Sequence, residues 1–205
     1  METTEVLTIG HSTLAYERFL SLLRGARVNA IADVRSAPYS RQFPQFNRDE
    51  LSEELRSDGI SYVFLGKELG GRPTERKFYC EGVADYEKMA QSAGFGKGID
   101  RVIEGAKKYR IALMCSERNP LDCHRCLLIG RALVQRGVFV GHIVGDGSIE
   151  TQEQIEDRLL EVSGRHDDDL FAPRSERLAA AYRERARKVA FAEPQTNSRS
   201  AITAE

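Results

Sequence analysis

The sequence predicts an α/β fold: a three-layer sandwich with a mostly parallel five-stranded sheet, plus a C-terminal helical tail. Three observations carry that prediction. Short apolar runs of strand length recur five times in the first two thirds of the chain. Segments of helical periodicity separate them, and strands joined through helices need crossovers, which make neighbouring strands parallel with helices on both faces. Composition then shifts near residue 164, where apolar alternation gives way to charge. The chain therefore divides into an α/β domain at 1–163 and a basic, helical and partly disordered tail at 164–205.

In order, VLTIG (6–10) reads as the first strand. Tyr16, Phe19, Leu20, Leu22 and Leu23 recur at helical spacing, and Gly25 closes that helix. VNAIADV (28–34) is the second strand. The stretch RSAPYSRQFPQF (35–46) has two prolines and three aromatics, and a loop of that length is expected to be functional or mobile. Asn47 is placed to cap a helix that ends at Gly59. SYVFLG (61–66) is the third strand, and the LGG at 69–71 is expected to be a turn that needs positive φ or allows a close approach. Residues 84–108 read as helical with a break at GFGKG (94–98). RIALMC (110–115) is the fourth strand. A helix capped by Asn119-Pro120 or Asp122 runs to about Gln135 and stops at Gly137. VFVGHIVG (138–145) is the fifth strand, with His142 as a satisfied core or surface histidine, and 149–162 a further helix.

Composition narrows the function. The 205 residues carry a net charge of −1 and are 41% apolar, enough to build a core without disulfides. Near-neutrality gives no global attraction to nucleic acid or anionic lipid. No apolar run approaches the roughly 18 residues of a membrane span, and METTEVLTIGHS lacks the basic and apolar regions of a signal peptide. A cytoplasmic protein with no membrane partner is expected. There three clustered cysteines speak for catalysis, redox or metal before structural disulfides.

In open parallel sheets, ligands sit beyond the carboxyl ends of the strands. His11, Ser12 and Thr13 follow the first strand, Asp33 and Arg35 the second, and Lys67 and Glu68 the third. Cys115, Ser116, Glu117 and Arg118 follow the fourth, and Asp146 the fifth. This edge is the expected pocket. The helix after SERNPLD aims its free N–H groups there, which favours an anion. Arg35, Arg118 and Arg125 can add forked donors for phosphate or carboxylate. A structural network, Arg35 with Asp33 and Arg125 with Glu117, is the alternative. Cys115 is a candidate nucleophile or a small core residue. Cys123, in a helix's first turn beside His124, is the thiol whose pKa should fall. Glu117 and His11 are candidate general acid or base.

Two cysteine patterns compete with that reading. Cys123 and Cys126 form a C-x-x-C of the thioredoxin-like redox kind. Cys115, Cys123 and Cys126 could ligate zinc if His11 completed the set. A C-x5-R phosphatase loop is excluded, because position 121 is Leu121. Tyr39, Phe43 and Phe46 can cover the pocket as a lid or simply pack the loop. Residues 174–188 hold six basic side chains against two acids. Such a helix can grip nucleic-acid phosphates, or be a solvated face.

TIGHST (8–13), DVRSAPYS (33–40), LGKELGG (65–71) and LMCSERNPLDCHR (113–125) occur in this order and resemble domain-of-unknown-function family 488. The resemblance covers roughly residues 5–145, reaching towards 162. It implies an intracellular α/β fold with the motif residues on one edge, at His11, Ser12, Asp33, Arg35, Pro38, Ser40, Gly70, Cys115, Glu117, Cys123, His124 and Arg125. Cys126 and the basic tail lie outside the pattern, and no activity comes with it.

The expectation is an enzyme, a hydrolase or transferase, that binds a phosphate-bearing or other anionic small molecule, nucleotides included. Cys115, Glu117, Cys123 and His11 would be catalytic, and Ser12, Asp33, Arg35, Ser40, His124 and Arg125 would bind substrate. The residues name no cofactor. A non-catalytic nucleotide or nucleic-acid module that also uses the 174–188 helix is the alternative, and a Cys/His metal or redox site the third reading.

Overall fold

All five apolar runs become parallel strands of one sheet, and a sixth strand joins its edge, in a computed structural model that describes residues 4–166 and 172–194. In chain order, β1 (Glu5–Gly10), α1 (Tyr16–Gly25) and β2 (Ala30–Asp33) are followed by α2 (Arg48–Ser57), β3 (Ser61–Phe64) and α3 (Gly66–Leu69). A hairpin of β4 (Tyr79–Cys80) and β5 (Val83–Ala84) precedes α4 (Tyr86–Ala90), α5 (Ala93–Ala106) and β6 (Ile111–Cys115). Then come α6 (Arg131–Gln135), β7 (Phe139–Ile143), β8 (Ile149–Thr151), α7 (Gln152–Val162) and α8 (Arg174–Val189).

The sheet order is β3-β2-β6-β1-β7-β8, with only β8 antiparallel. β2 and β6 are buried along their whole length, as parallel strands covered on both faces are. Alternate residues feed two cores. Leu7, Ile9, Ile31 and Met114 pack against α1 and α2, whereas Val6, Ala32, Leu113 and Val140 pack against α4, α5, α7 and α8.

Strand order creates the site. The crossover from β1 runs through α1 to β2, passing β6. The crossover from β6 runs to β7, passing β1. The two leave in opposite directions, so a crevice opens above the ends of β1 and β6. Gly10 pairs with Cys115 there, and the ladder continues beyond the strands through His11 N–H to Cys115 O at 2.9 Å and Ser12 N–H to Ser116 O at 2.8 Å.

Several boundaries differ from expectation. Residues 149–151 form β8 rather than a helical turn. Gly147 at φ +98° and Asp146, which accepts the Ser148 N–H at 2.8 Å, reverse the chain after β7. Thr151 and Gln154 then form a capping box that starts α7 at residue 152. The break in 84–108 falls at Ser92, whose Oγ caps Phe95 N–H, and α5 runs through the glycines. Gly98 is needed there for packing, because a Cβ would come within 2.7 Å of Leu69. Asn47 occupies the cap position of α2 without capping it. Its Oδ1 instead accepts the Ser40 N–H at 2.7 Å and ties down the 35–46 loop.

Tail helix α8 packs on the domain. His142 Nε2–H donates to Gln152 Oε1, Gln152 Nε2–H to Tyr182 Oη, and Tyr182 O–H to Glu156, at 2.7–2.8 Å each. Thr8 closes this chain at the other end, donating to His142 Nδ1 at 2.8 Å. Of the two expected placements for His142, core or surface, the structure shows the core one. Of the basic residues of α8, Arg174, Arg183, Arg185 and Lys188 pair with acids of this chain. That leaves little free charge for phosphates. The disorder expected at 193–205 falls, from residue 195 on, outside the described residues. Among the described residues, no helix is long and apolar enough to cross a membrane.

Candidate functional site: a cysteine, histidine and carboxylate cluster at the sheet's switch point

After β6 the chain makes a short 3-10 turn at Pro120–Asp122, which Asn119 Oδ1 opens by accepting Leu121 N–H. Cys123 is extended (φ −137°, ψ 139°), and a π-helical turn follows at Arg125–Gly130. Such turns recur at functional sites. The predicted helix thus runs unbroken from His124 to Gln135, its first turns π-helical, and the extended Cys123 before it faces back towards Cys115.

Arg125 holds the loop in place. It is fully buried, donating through Nη1 to Glu117 O at 2.6 Å and through Nη2 to Arg118 O at 3.0 Å. Its partners are thus backbone carbonyls, not the Glu117 carboxylate. The loop can lie this close only because residue 10 is glycine: a Cβ there would stand 1.8 Å from Glu117 O. Gly10→Ala should displace residues 115–118 and cost about 1–3 kcal/mol, as overpacking does. Chemical denaturation measures the loss, and an unchanged midpoint would refute the close fit.

Three chemistries meet in the loop. Glu117 Oε2 lies 3.0 Å from both Cys115 Sγ and Cys123 Sγ. His124 Nδ1 lies 3.7 Å from Cys115 Sγ and 3.9 Å from Cys123 Sγ. The other ring nitrogen, Nε2, donates to Val34 O at 2.9 Å, so Nδ1 keeps its lone pair towards the sulfurs. The two thiols differ. Burial pushes Cys115 well above the usual thiol range, and its hydrogen bond to Cys123 adds to this. Burial alone would raise Cys123 too, but the Cys115 hydrogen bond and the charges of Arg125 and His124 hold it well below that range. Burial raises the Glu117 carboxyl, although the residue as a whole sits exposed at the rim. The carboxylate is the part that turns inward.

Cys123 itself occupies the helix opening where an anion is expected. Its Sγ accepts Arg125 N–H at 3.5 Å, and its carbonyl accepts Cys126 N–H and Leu127 N–H at 3.1 Å. Few donors are left there for a ligand.

Arg35 and Asp33 form the ion pair that the alternative reading describes. Arg35 Nε and Nη2 reach the Asp33 carboxylate at 2.9 and 2.6 Å, and Tyr62 O–H donates to it at 2.7 Å. Arg35 Nη1 donates to His11 Nε2 at 3.2 Å, while His11 Nδ1–H donates to Ser12 O at 3.0 Å. Burial first, and Arg35 second, lower the His11 pKa to about 4. His11 is neutral with both nitrogens engaged. Ser12 stands in the left-handed region at φ +48°.

Above this floor lies a cleft of about 530 Å³. Cys115, Glu117, His124, His11, Ser12, Arg35 and Ser40 line it, seven of the ten predicted site residues. Asp33, Cys123 and Arg125 sit behind the wall. Lys67, Glu68 and Asp146 do not line it. Of the expected lid, Tyr39 is exposed and Phe43 lines the cleft. Phe46 is buried, its ring stacked on His11 at 4.2 Å, so it is core.

Sequence reasoning missed Arg72, Tyr86, Val189 and Phe191, which also line the cleft. Arg72 follows the LGG turn, whose glycines do not adopt positive φ. They permit close approach: Cβ atoms at Gly70 and Gly71 would meet Ser36 Oγ at 2.4 Å and the His124 ring at 2.9 Å. Phe191 comes from the tail, clamped to the hairpin by Ala84 N–H to Phe191 O at 2.9 Å. No local signal marks it.

Of the two cysteine patterns, the C-x-x-C pair does not assemble. Cys126 Sγ turns to Gln152, and burial pushes its thiol up to about 12. The sulfurs of Cys115 and Cys123 and Nδ1 of His124 do lie within 4.8 Å of one another, a group able to hold a metal ion. His11 plays no part in it.

Fold and site define an α/β protein with a cysteine–histidine–carboxylate cluster at the topological switch point of its sheet. The family model described as "Domain of unknown function DUF488" matches residues 15–132, and the chain belongs to that family. The match includes every candidate site residue except His11 and Ser12, which precede it. No curated protein and no solved structure matches the chain.

Proposed function

We propose that this protein is an enzyme acting on a phosphate-bearing or other anionic small molecule held in the cleft at the switch point. One observation carries the reading: a reactive floor of Cys115, Glu117 and His124 shares a cavity with two arginines that have no ion-pair partner among the described residues, Arg72 and Arg118. Arg35 also lines the cavity, but its fork is spent on Asp33 and His11. Arg72 lies over the Phe191 ring at 5.0 Å, and its own N–H is fixed on Ser36 Oγ at 2.9 Å. Its guanidinium is thus held against Phe191, and both residues line the cavity.

A bound anion meets Arg72 and Arg118. Tyr39, Phe43 and Phe191 offer aromatic faces to a planar group such as a base. Cys115, Glu117 and His124 are the groups that touch it, while Cys123 acts from behind and His11, its nitrogens engaged, acts from the floor, both as positioning residues. Hydrolysis and group transfer both suit such a floor.

The test is thermal stabilisation of reduced protein by inorganic phosphate, pyrophosphate and AMP. Pyrophosphate is expected to raise Tm, and less so as salt rises. The Arg72→Ala/Arg118→Ala double variant should bind at least tenfold more weakly, since one charge-assisted hydrogen bond contributes about 1.5–3 kcal/mol. No shift with any of the three anions, or equal binding by the double variant, would refute the proposal.

A further inference from the structure

We infer that Cys115, Cys123 and His124 bind one zinc-class divalent ion, with a fourth position open to the cleft beside Glu117. The geometry is close to that of a tetrahedral site before any ion is present. Zinc–sulfur bonds of about 2.3 Å and zinc–nitrogen bonds of about 2.0–2.1 Å put neighbouring sulfur and nitrogen ligands about 3.6 Å apart. The observed separations are 3.7 and 3.9 Å. The two sulfurs also lie within 4.8 Å of each other, so small side-chain shifts complete the site.

The surroundings match as well. His124 donates Nε2–H to Val34 O at 2.9 Å, the outer hydrogen bond that fixes a metal-bound histidine and leaves Nδ1 to ligate. Arg125 N–H donates to Cys123 Sγ at 3.5 Å and steadies a ligating sulfur. Charge suits a dication. Ligation turns two buried thiols into thiolates, and a divalent ion cancels the two charges this creates. Thiolate sulfur with imidazole selects zinc over magnesium or calcium.

Three protein ligands and one free position mark a catalytic rather than a structural site. Cys115, His124 and Glu117 line the cleft, whereas Cys123 closes the rear. The open position thus faces the anion proposed above. In that respect the inference rests on the proposed function, but the ligand set stands without it. The set also differs from the one spacing suggested. His11 has both nitrogens engaged, and Cys126 belongs to Gln152.

Cobalt titration of the full-length, reduced, chelator-treated protein tests this. One equivalent of Co²⁺ should bring up a thiolate-to-cobalt charge-transfer band in the near ultraviolet and the intense visible bands of a tetrahedral site, and Zn²⁺ should bleach both. Cys115→Ser and Cys123→Ser should each lose most of the charge-transfer intensity, and His124→Gln should bind at least tenfold more weakly. Cys126→Ser and Cys80→Ser should leave the spectrum unchanged. If Cys123→Ser does not fold, the wild type and Cys115→Ser decide. Absence of the charge-transfer band in wild type, or its survival in Cys115→Ser, overturns the site. The pyrophosphate measurement is repeated on the metal-free protein. Cobalt failure with pyrophosphate binding intact sinks the metal site alone, and cobalt binding without any anion effect sinks the cleft reading alone.

Discussion

Replacing Asp33 by alanine should lower the free energy of unfolding by about 3–5 kcal/mol, the cost of removing one partner of a buried ion pair. Asp33 is wholly buried and accepts from Arg35 N, Nε and Nη2 and from Tyr62 O–H. Its loss leaves a guanidinium 5% exposed and without its counter-charge. The Arg35–His11 contact loses its anchor with it, so the floor of the cleft should loosen. Denaturant unfolding of Asp33→Ala, Arg35→Met and the double variant separates the terms. The double variant should be less damaged than Asp33→Ala, because no unpaired charge remains. A single-variant loss under about 1 kcal/mol, within the range of an exposed pair, would contradict the buried-pair account.

Acid should destabilise the protein well before its carboxylates are all protonated. His142 is fully buried, and burial, with Arg125 second, lowers its pKa to about 4. The unfolded chain titrates near 6.5, so as pH falls the unfolded state takes up the proton first. The stabilisation from a neutral His142 is complete above about pH 6.5 and declines towards pH 4. A gap of that size corresponds to roughly 3 kcal/mol once both states are protonated. His11, lowered to about the same value, acts in the same direction. Unfolding free energies of wild type and His142→Gln between pH 7 and 4 isolate the His142 share. The variant should start less stable and show a shallower decline. Parallel curves would show that His142 does not titrate in this window.

Much of the architecture was legible because it is local. Strand and helix periods follow from which face a side chain takes; β2, β3, β6 and β7 fall within the predicted runs, and β1 starts one residue earlier, at Glu5. The edge carrying the chemistry was legible too. Parallel strands must all end on one side, so His11, Arg35 and Cys115 had to share it. Where local chemistry was ambiguous, packing chose. Gly98 looked like a helix break but is a contact point for Leu69. Residues 149–151 had a helical pattern but were captured by the edge of β7.

Three things the chain by itself determined: an alternation of strands and helices, a reactive loop at the end of β6, and a set of candidates in which all the groups of the cluster already appear. Tertiary structure alone decided which of them meet. It buried Arg125 under the loop and left Arg72 lining the cavity, gave His124 rather than His11 to the sulfurs, and brought Phe191 in from the tail. The reason is range. Periodicity records neighbours a few residues apart, whereas the company a side chain keeps depends on strand order and on crossovers that join positions far apart in the chain, as β1 meets β6 and β7.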